Sequence, residues 1–382
     1  MRLLFRTILR FLREADMFLL TISLVSAIYG CLLISSVLRN SGTGGSELYV
    51  QIGAMVIGLV LFILFSYVDI DIIADKHRFL IIFSALFIGT LYFWGVGMSE
   101  SGNNAWLRFF GIGIQPSEVV KVTFIIIMAK MLANHKERKT LNSLGALVQV
   151  LLVFALLFSL IIVTSSDLGS ALIYIFIFAA MLYIAGVKIR WFLIGAGFVA
   201  AITPLIWNYY LSDLQKNRIR APFIPDQIDP TRRDTLWHTD NSIKAIASGG
   251  FSGQGLGHGR MTQSGIIPYQ HTDFIFSAAG EELGFVGCML IILLLVAIIV
   301  RCIQVGIRSN NSLGLFVCVG VATMLIAQML LNIGMCLGLL PVVGITLPYF
   351  SYGGSSIVAC FASMGIVSGI RMRPKPLRFR TR

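Results

Sequence analysis

Five carboxylates and one lysine in this 382-residue chain stand where apolar helices should carry no charge. In IIPYQHTDFIFSAAGEELGF, residues 266–285, Asp273 heads the run Phe274-Ile275-Phe276, and Glu281-Glu282 lie two turns further in. Glu118 and Lys121 share QPSEVVK (115–121), and Asp167 lies in TSSDLGS (164–170). A carboxylate at bilayer depth costs several kcal/mol unless it is paired, hydrated or used. One within reach of a hydroxyl can act as a general base.

Each of these residues also has a purely structural reading. Glu118 and Lys121, at i and i+3, share a helix face and can neutralise each other as an ion pair or line a site. Pro116 and Ser117 beside them suit a helix N-terminus. Asp167 stands before a helix, where aspartate is a good N-cap. Thr272 or Asp273 could cap the next helix, although no Glu or Gln follows at the third helical position to complete a capping box. For Asp273, residue type alone leaves capping and chemistry both open.

Other chemistries fit less well. His238, His258 and His271 share one loop with several aspartates, so a zinc hydrolase has to be weighed, but none shows HExxH or another ligand spacing. The glycine-dense SGGFSGQGLGHG (248–259) follows no strand and matches neither the phosphate-loop nor the dinucleotide spacing. Cys31, Cys288, Cys302, Cys318, Cys336 and Cys360 are scattered singly through apolar runs and read as small buried hydrophobes.

The elements that must position these residues are membrane helices. The chain is 57% hydrophobic and 13% charged, against about a quarter charged in a soluble protein. Its apolar residues come in runs of about 20, the length that spans a bilayer. The fold class expected is an all-α polytopic integral membrane protein with ten transmembrane helices. The segments lie near 17–38, 48–67, 79–97, 117–133, 146–164, 168–185, 191–209, 274–300, 313–334 and 354–370. The basic lead-in MRLLFRTILRFLREAD precedes the first run without a cleavage pattern, so that run reads as a retained helix.

The net charge of +12 follows the same layout. Twenty of the 30 Lys and Arg lie in the two tails (Arg2, Arg6, Arg10 and Arg13; Arg371, Arg373, Lys375, Arg378, Arg380 and Arg382) and in alternate short loops. Those loops carry Lys76 and Arg78; Lys130, Lys136, Arg138 and Lys139; Lys188 and Arg190; Arg301 and Arg308. The intervening short loops hold only Arg39 and Arg108. This positive-inside pattern puts both termini in the cytoplasm. The basic charge then serves topology and lipid headgroups, and no nucleic-acid partner is expected.

One connection is unlike the rest. Residues 210–273 form a long extracytoplasmic loop between helices 7 and 8, and loops of this length are usually functional. Within it IPDQIDP reads as turns, and NSIKAIASGG as a short amphipathic helix ended by glycine. On the same side, LGLLPVVGITLPYFSYGGSS (337–356) is broken by Pro341, Pro348 and Gly353-Gly354. Irregular backbone at membrane depth must be buried in protein or line a wet cavity, so the two segments are expected to close over one cavity. The chain shows no internal repeat and reads as a single membrane domain, 1–382.

Five of these stretches, in order, resemble the SEDS family (shape, elongation, division and sporulation): QPSEVVK, SDLGS, the AIASGG glycine-rich loop, PYQHTDFIFSAAGEELGF and NIGMCLGLLPVVGITLPYFSYGGSS. The resemblance runs from helix four to helix ten, and the elongation type is the favoured reading within it. It implies a ten-helix peptidoglycan glycosyltransferase that polymerises lipid II at the outer face of the bacterial cytoplasmic (inner) membrane. It also implies a class B penicillin-binding protein as partner, within the elongation or division machinery. The family's essential loop aspartate falls on Asp273, its helix-four pair on Glu118 and Lys121, its loop tryptophan on Trp106, and its loop arginine on Arg218. The chain departs from the family at Asn103-Asn104-Ala105, where basic residues are usual and only Arg108 follows. It departs again at Ser166 of the Asp167 turn, and at Trp237-His238 in place of Tyr-Gln.

The implied reaction needs a carboxylate base for a sugar hydroxyl, the role expected of Asp273. It also needs positive charge for the departing pyrophosphate, from Arg218, Arg220, Lys121 or a divalent cation (Mg2+ or Mn2+), with no organic cofactor. Two other functions stay in view. A lipid-linked-sugar flippase would need polar residues on the inner halves of its helices too. A non-enzymatic scaffold for the penicillin-binding protein would not need Asp273 at all.

Overall fold

The computed structural model describes residues 11–39, 44–97, 104–109, 112–231, 236–267, 269–309 and 311–373. Arg2, Arg6, Arg10, Asn103, Pro268, Lys375, Arg378, Arg380 and Arg382 lie outside the described residues. In chain order come α1 (Met17–Val37), α2 (Gly44–Tyr67), the short α3 (Ile70–Asp75) and α4 (His77–Trp94). A hairpin of β1 (Leu107–Phe109) and β2 (Ile112–Ile114) follows, then α5 (Pro116–Glu137), α6 (Leu144–Ser165), α7 (Leu168–Ala185) and α8 (Ile189–Leu205), which ends in a π-turn over Ile206–Tyr210. The long connection holds α9 (Asp213–Arg220), α10 (Pro225–Ile228), α11 (Trp237–Gly249) and α12 (Arg260–Gln263). The chain closes with α13 (Ile275–Arg308), α14 (Ser312–Cys336) and α15 (Gly354–Met372).

Helices stand on all ten segments read as spans. Among the described residues nine are long and apolar enough to cross a membrane. The other is α5, whose 22 residues include Glu118, Lys121 and Lys130 yet pack centrally against α4, α7 and α14. The outer surface is apolar: α8 buries none of its residues, and Leu193 and Phe198 lie two-thirds exposed on it. Such a surface suits lipid and not water. The all-α expectation misses one feature, the two-stranded β1–β2 hairpin pairing Leu107 with Ile114. The glycine-ended helix expected at NSIKAIASGG is α11, and Gly250 ends it at φ 55°.

α13 runs well past the expected end near residue 300 and is not continuous, because Gly284 (φ 66°, ψ −161°) breaks it. A break frees carbonyls before it and N–H groups after it, and buried backbone groups need partners. The glycine-rich loop supplies them. Gln254 N donates to Glu281 O at 3.0 Å and Gly255 N to Glu282 O at 2.9 Å, while Phe285 N donates to Gly250 O at 2.9 Å and Val286 N to Phe251 O at 3.2 Å. A Cβ on Gly284 would stand 2.4 Å from Gly253 N, so only glycine permits this approach.

The two glutamates beside the break hold the same loop. Glu281 accepts from Met261 N (2.8 Å), Thr262 N (2.8 Å) and Thr262 Oγ1 (2.7 Å). Glu282 accepts from Gln263 Nε2 at 2.8 Å and from the Ser36 hydroxyl of α1. Both are buried; Glu281 is engaged by α12, and Glu282 ties α12 to α1.

At the far end of α13 the basic residues meet carboxylates. Buried Asp16 caps α1 through Leu19 N and receives Arg301 Nε at 2.8 Å and Arg371 Nη1 at 3.1 Å. Asp75 pairs with Lys130 at 2.7 Å and Asp69 with Arg373 at 3.2 Å. α1, α3, α5, α13 and α15 are thereby fastened at one end, leaving the other for Asp273.

Candidate active site

Asp273 sits in a turn closed by three bonds to one carbonyl: Thr272 N, Asp273 N and Phe274 N reach Tyr269 O at 3.1, 3.0 and 3.3 Å. The N-cap of α13 is Phe274, and no side chain caps the helix. The capping alternative for Thr272 and Asp273 is therefore not realised, and the Asp273 carboxyl is left for other work. Asp273 is partly accessible. Burial of its carboxyl, reinforced by the negative charge of Asp167 and opposed by a hydrogen bond from Thr272, lifts its pKa to about 6. A base near that value is mostly ionised at neutral pH yet strong enough to take a proton.

Its backbone is held from below. Asn332 Nδ2, on fully buried Asn332 of α14, donates to Asp273 O at 2.8 Å and to Ile345 O at 2.7 Å. One amide thus ties Asp273 to the irregular 337–353 segment. Tyr352 N adds a bond to His271 O at 2.8 Å, so the loop and the segment meet, as expected from their common side. Gln51 of α2 grips the segment's other end, donating to Ser351 O (3.2 Å) and accepting from Gly353 N (3.1 Å). Ile345, Leu347, Tyr349 and Phe350 are buried, which is how a proline-broken stretch is tolerated at this depth.

Asp167 forms the next layer. It caps α7, accepting from Ser170 N at 2.9 Å and Ser170 Oγ at 2.6 Å, and receives Gln115 Nε2 at 3.0 Å. The capping reading of Asp167 holds. Its burial raises its pKa, the Ser170 bonds work the other way, and Lys121 and Glu118 are close enough to act on it with opposite signs. Gly169, beside it, lies so close to the 337–353 segment that a Cβ would fall 2.4 Å from Val343 O. Gly344, next along, faces Asp273 Oδ2.

Glu118 and Lys121 form the expected pair, Nζ to Oε1 2.6 Å, with Lys121 fully buried. Pro116 occupies the first turn of α5 as expected. Buried Tyr174 of α7 donates to Ser117 O at 2.9 Å and locks the two helix starts together. Lys121 and Glu118 act electrostatically on Asp167, and Asp167 on Asp273, so the four charges lie within influence of one another.

The roof comes from the loop. His238 of α11 stacks on Phe274, ring centroids 6.3 Å apart and 13° from parallel. Its Nδ1 is buried without a hydrogen-bond partner. Burial, and then the charge of Arg218, lower the His238 pKa and disfavour the charged ring. Arg218 is exposed on α9 and close enough to His238 to act on it, which brings it to the Asp273 side. Arg220 instead lies over the Trp207 ring, 4.8 Å from its centroid.

Trp106 is half-buried over Gly113 of β2, whose carbonyl accepts from the same Ser355 hydroxyl that receives Gln115 N at 3.0 Å. Arg108 is exposed and lines a cavity of about 320 Å3 with Phe93, Trp94 and Leu107, apart from the Asp273 layer. Gln51 is the site residue that motif reading passed over, while Asn332 stands unassigned at the head of the NIGMCLGLLPVV stretch and His238 enters only as a zinc ligand to be weighed and as a family departure. An Asn or Gln inside an apolar run was the available signal.

Among the described residues no group of three or more His, Cys, Asp or Glu side chains is placed to hold a metal ion. His271 Nε2 lies 3.9 Å from Glu47 Oε2 instead.

A family model described as a cell cycle protein, FtsW/RodA/SpoVE, matches residues 15–375. The chain belongs to this family. The FtsW/RodA/SpoVE match covers the bundle, the long loop and the Asp273 turn together. Among curated relatives, the probable peptidoglycan glycosyltransferase FtsW of Geobacter metallireducens is 35% identical over 74% of this chain and 73% of its own length. The peptidoglycan glycosyltransferase MrdB of Escherichia coli K12 is 30% identical over 95% of each. The solved structure described as the structural coordination of polymerization and crosslinking by a peptidoglycan synthase complex matches with a TM-score of 0.79 at 26% identity, over 94% of this chain and 97% of that one. The rod shape determining protein RodA of Thermus thermophilus shares the fold, TM-score 0.68 at 23% identity over 94% and 96%. Relatives of both FtsW and MrdB type match, so the likeness does not favour the elongation type.

Proposed function

We propose that this chain is a peptidoglycan glycosyltransferase that polymerises lipid II at the outer face of the bacterial cytoplasmic membrane, with Asp273 as its general base. The relatives' names support the activity, and the observation that carries the catalytic assignment is the Asp273 carboxyl itself. It is uncommitted to the helix it precedes and has a pKa raised to about 6.

In the reaction Asp273 accepts the proton of the attacking sugar hydroxyl. The new C–O bond forms at the anomeric carbon while the bond to the pyrophosphate oxygen breaks, and the lipid pyrophosphate leaves with the electron pair. Asp273 then returns its proton to water, as a carboxyl of pKa about 6 does at neutral pH. Arg218 supplies positive charge toward the leaving group. Lys121 cannot reach it without abandoning Glu118, so this pair holds the floor under Asp167 and Asp273. Trp106, Arg108 and Arg220 meet the outer parts of the substrate.

A magnesium-type cation on phosphate oxygens needs only one or two carboxylates. Asp167 is occupied by Ser170 and Gln115, which leaves Asp273, and a carboxyl ligating the cation would have its pKa drawn down, so holding the cation would compete with its role as base. No step above depends on the cation.

Both termini are cytoplasmic in this reading, and the partner is a class B penicillin-binding protein. The fold shared with a chain of a peptidoglycan synthase complex supports that partnership. The test is polymerisation of labelled lipid II by the purified protein with its cognate partner present. Failure of the wild-type protein to yield polymer would end the proposal.

A further inference from the structure

The glycine-rich loop and α12 line an open cleft of about 610 Å3, formed by Ser248, Gln254, His258, Arg260, Met261 and Glu281. It lies beside α13 at Glu281, six residues beyond Ile275, roughly 9 Å of helical rise from the Asp273 end. Nothing in the reaction derived above uses it.

Its walls are fixed. The loop backbone is bonded to α13 on both sides of the Gly284 break. Gly253, Gly255 and Gly257 all take positive φ, and a Cβ on Gly259 would stand 2.8 Å from Glu281 Oε2. Gln254 joins the lining residues, donating to Ser248 Oγ at 2.9 Å and accepting from Arg260 N at 3.1 Å. Preorganised polar walls of this kind suit a ligand site.

The chemistry offered is specific. Glu281 is fully buried and already accepts three hydrogen bonds from neutral donors, so both its oxygens are engaged within the wall and it does not present them to a ligand. Arg260 is exposed and carries five N–H donors in a fork that matches a carboxylate. His258 is exposed with its Nδ1 against Leu256 O at 3.0 Å, which leaves Nε2 to face a hydroxyl. The Ser248 hydroxyl is committed to the wall itself, donating to Ala245 O at 2.8 Å and accepting from Gln254. An anion rich in hydroxyl and amide groups is the ligand these walls recognise.

We infer that this cleft binds the nascent strand, a carboxylate-bearing glycopeptide, and keeps it seated between additions at Asp273. This rests on the polymerase reading for its choice of ligand. The separation from Asp273 is comparable to the length of a disaccharide, so the strand can occupy both places at once. A polymer held beside the reacting end is extended again before it departs, so the cleft sets strand length.

The test uses a soluble, uncrosslinked glycan fragment with intact peptides, and the same fragment stripped of its peptides. Binding is titrated against the full-length wild-type protein and the Arg260→Ala, His258→Ala and Asp273→Asn variants, each with its melting temperature measured. Loss of a charged hydrogen-bonding group weakens binding about tenfold or more. Wild type and Asp273→Asn should bind the intact fragment alike, Arg260→Ala at least tenfold more weakly, and His258→Ala in between. The stripped fragment should bind the wild type as weakly as the intact one binds Arg260→Ala. With lipid II, well-folded Arg260→Ala should start strands at the wild-type rate and release them shorter. Equal binding of the intact fragment by wild type and Arg260→Ala, or no binding by wild type, overturns the inference. Polymerisation by Asp273→Asn would instead overturn the catalytic reading and leave the cleft result standing.

Discussion

One side-chain amide, Asn332 Nδ2, holds the Asp273 carbonyl at 2.8 Å and the Ile345 carbonyl at 2.7 Å. The residue proposed as base and the broken segment beside it therefore move as one piece. Leucine in place of Asn332 keeps the branched shape, with somewhat more bulk, and removes both donors. Each carbonyl left unpaired costs about 1–3 kcal/mol. Asn332→Leu should lower the melting temperature and reduce polymerisation further than the stability loss alone would, because the Asp273 turn is released. Unchanged turnover by a folded Asn332→Leu protein would show that the amide positions nothing.

Glu118 and Lys121 are expected to be worth most as a pair. Removing one partner leaves a buried charge uncompensated, which costs several kcal/mol or forces neutralisation. Glu118→Ala and Lys121→Ala should each destabilise the protein, and the double variant should be less affected than the sum. A double-mutant cycle on melting temperature reads this directly, and strict additivity would deny the pair.

Gly169→Ala should be among the most damaging small changes in the bundle. Its Cβ would fall 2.4 Å from Val343 O and push the 337–353 segment, with Gly344, away from Asp273. Expected are a lower melting temperature and weakened activity. Gly195→Ala, on the lipid side where a Cβ meets nothing within 4 Å, is the control.

Much of this was legible in advance, for reasons that differ by element. The helices announce themselves because a bilayer demands about 20 apolar residues in a row. Asp167 could be read as a cap because capping is local, set by the residues immediately following it. Asp273 could not be decided, because whether α13 starts at 274 or 275 depends on the Tyr269 turn and on Asn332, 59 residues away. Glu281 and Glu282 looked like further site carboxylates. Their use emerges only with the Gly284 break, whose exposed backbone calls the glycine-rich loop against α13. The β1–β2 hairpin was missed because three-residue strands leave no periodic signal.

Sidedness follows from the charge pattern and has its own check. Cysteine introduced at Ser252, exposed on the glycine-rich loop, should react with an impermeant reagent in intact cells. Cysteine at Lys375 should react only after permeabilisation. The reverse result would place Asp273 on the cytoplasmic side and remove the proposed reaction with it.

The most direct measurement is Asp273→Asn, assayed for melting temperature and lipid II polymerisation across pH. Asparagine caps a helix about as well as aspartate but cannot take a proton. A carboxyl whose folded pKa is raised to about 6 destabilises the fold above that pH and ceases to do so as pH falls toward its unfolded value near 4. The variant should therefore melt at or above the wild type at pH 7, with the advantage shrinking between about pH 6 and pH 4. Wild-type turnover should rise with pH through about 6 and level off, while the variant lies roughly 10²–10⁴-fold below that plateau, lacks the rise, and so differs less from the wild type as pH falls below about 6. A well-folded Asp273→Asn protein that polymerises lipid II at the wild-type rate would contradict the assignment of Asp273 as the base.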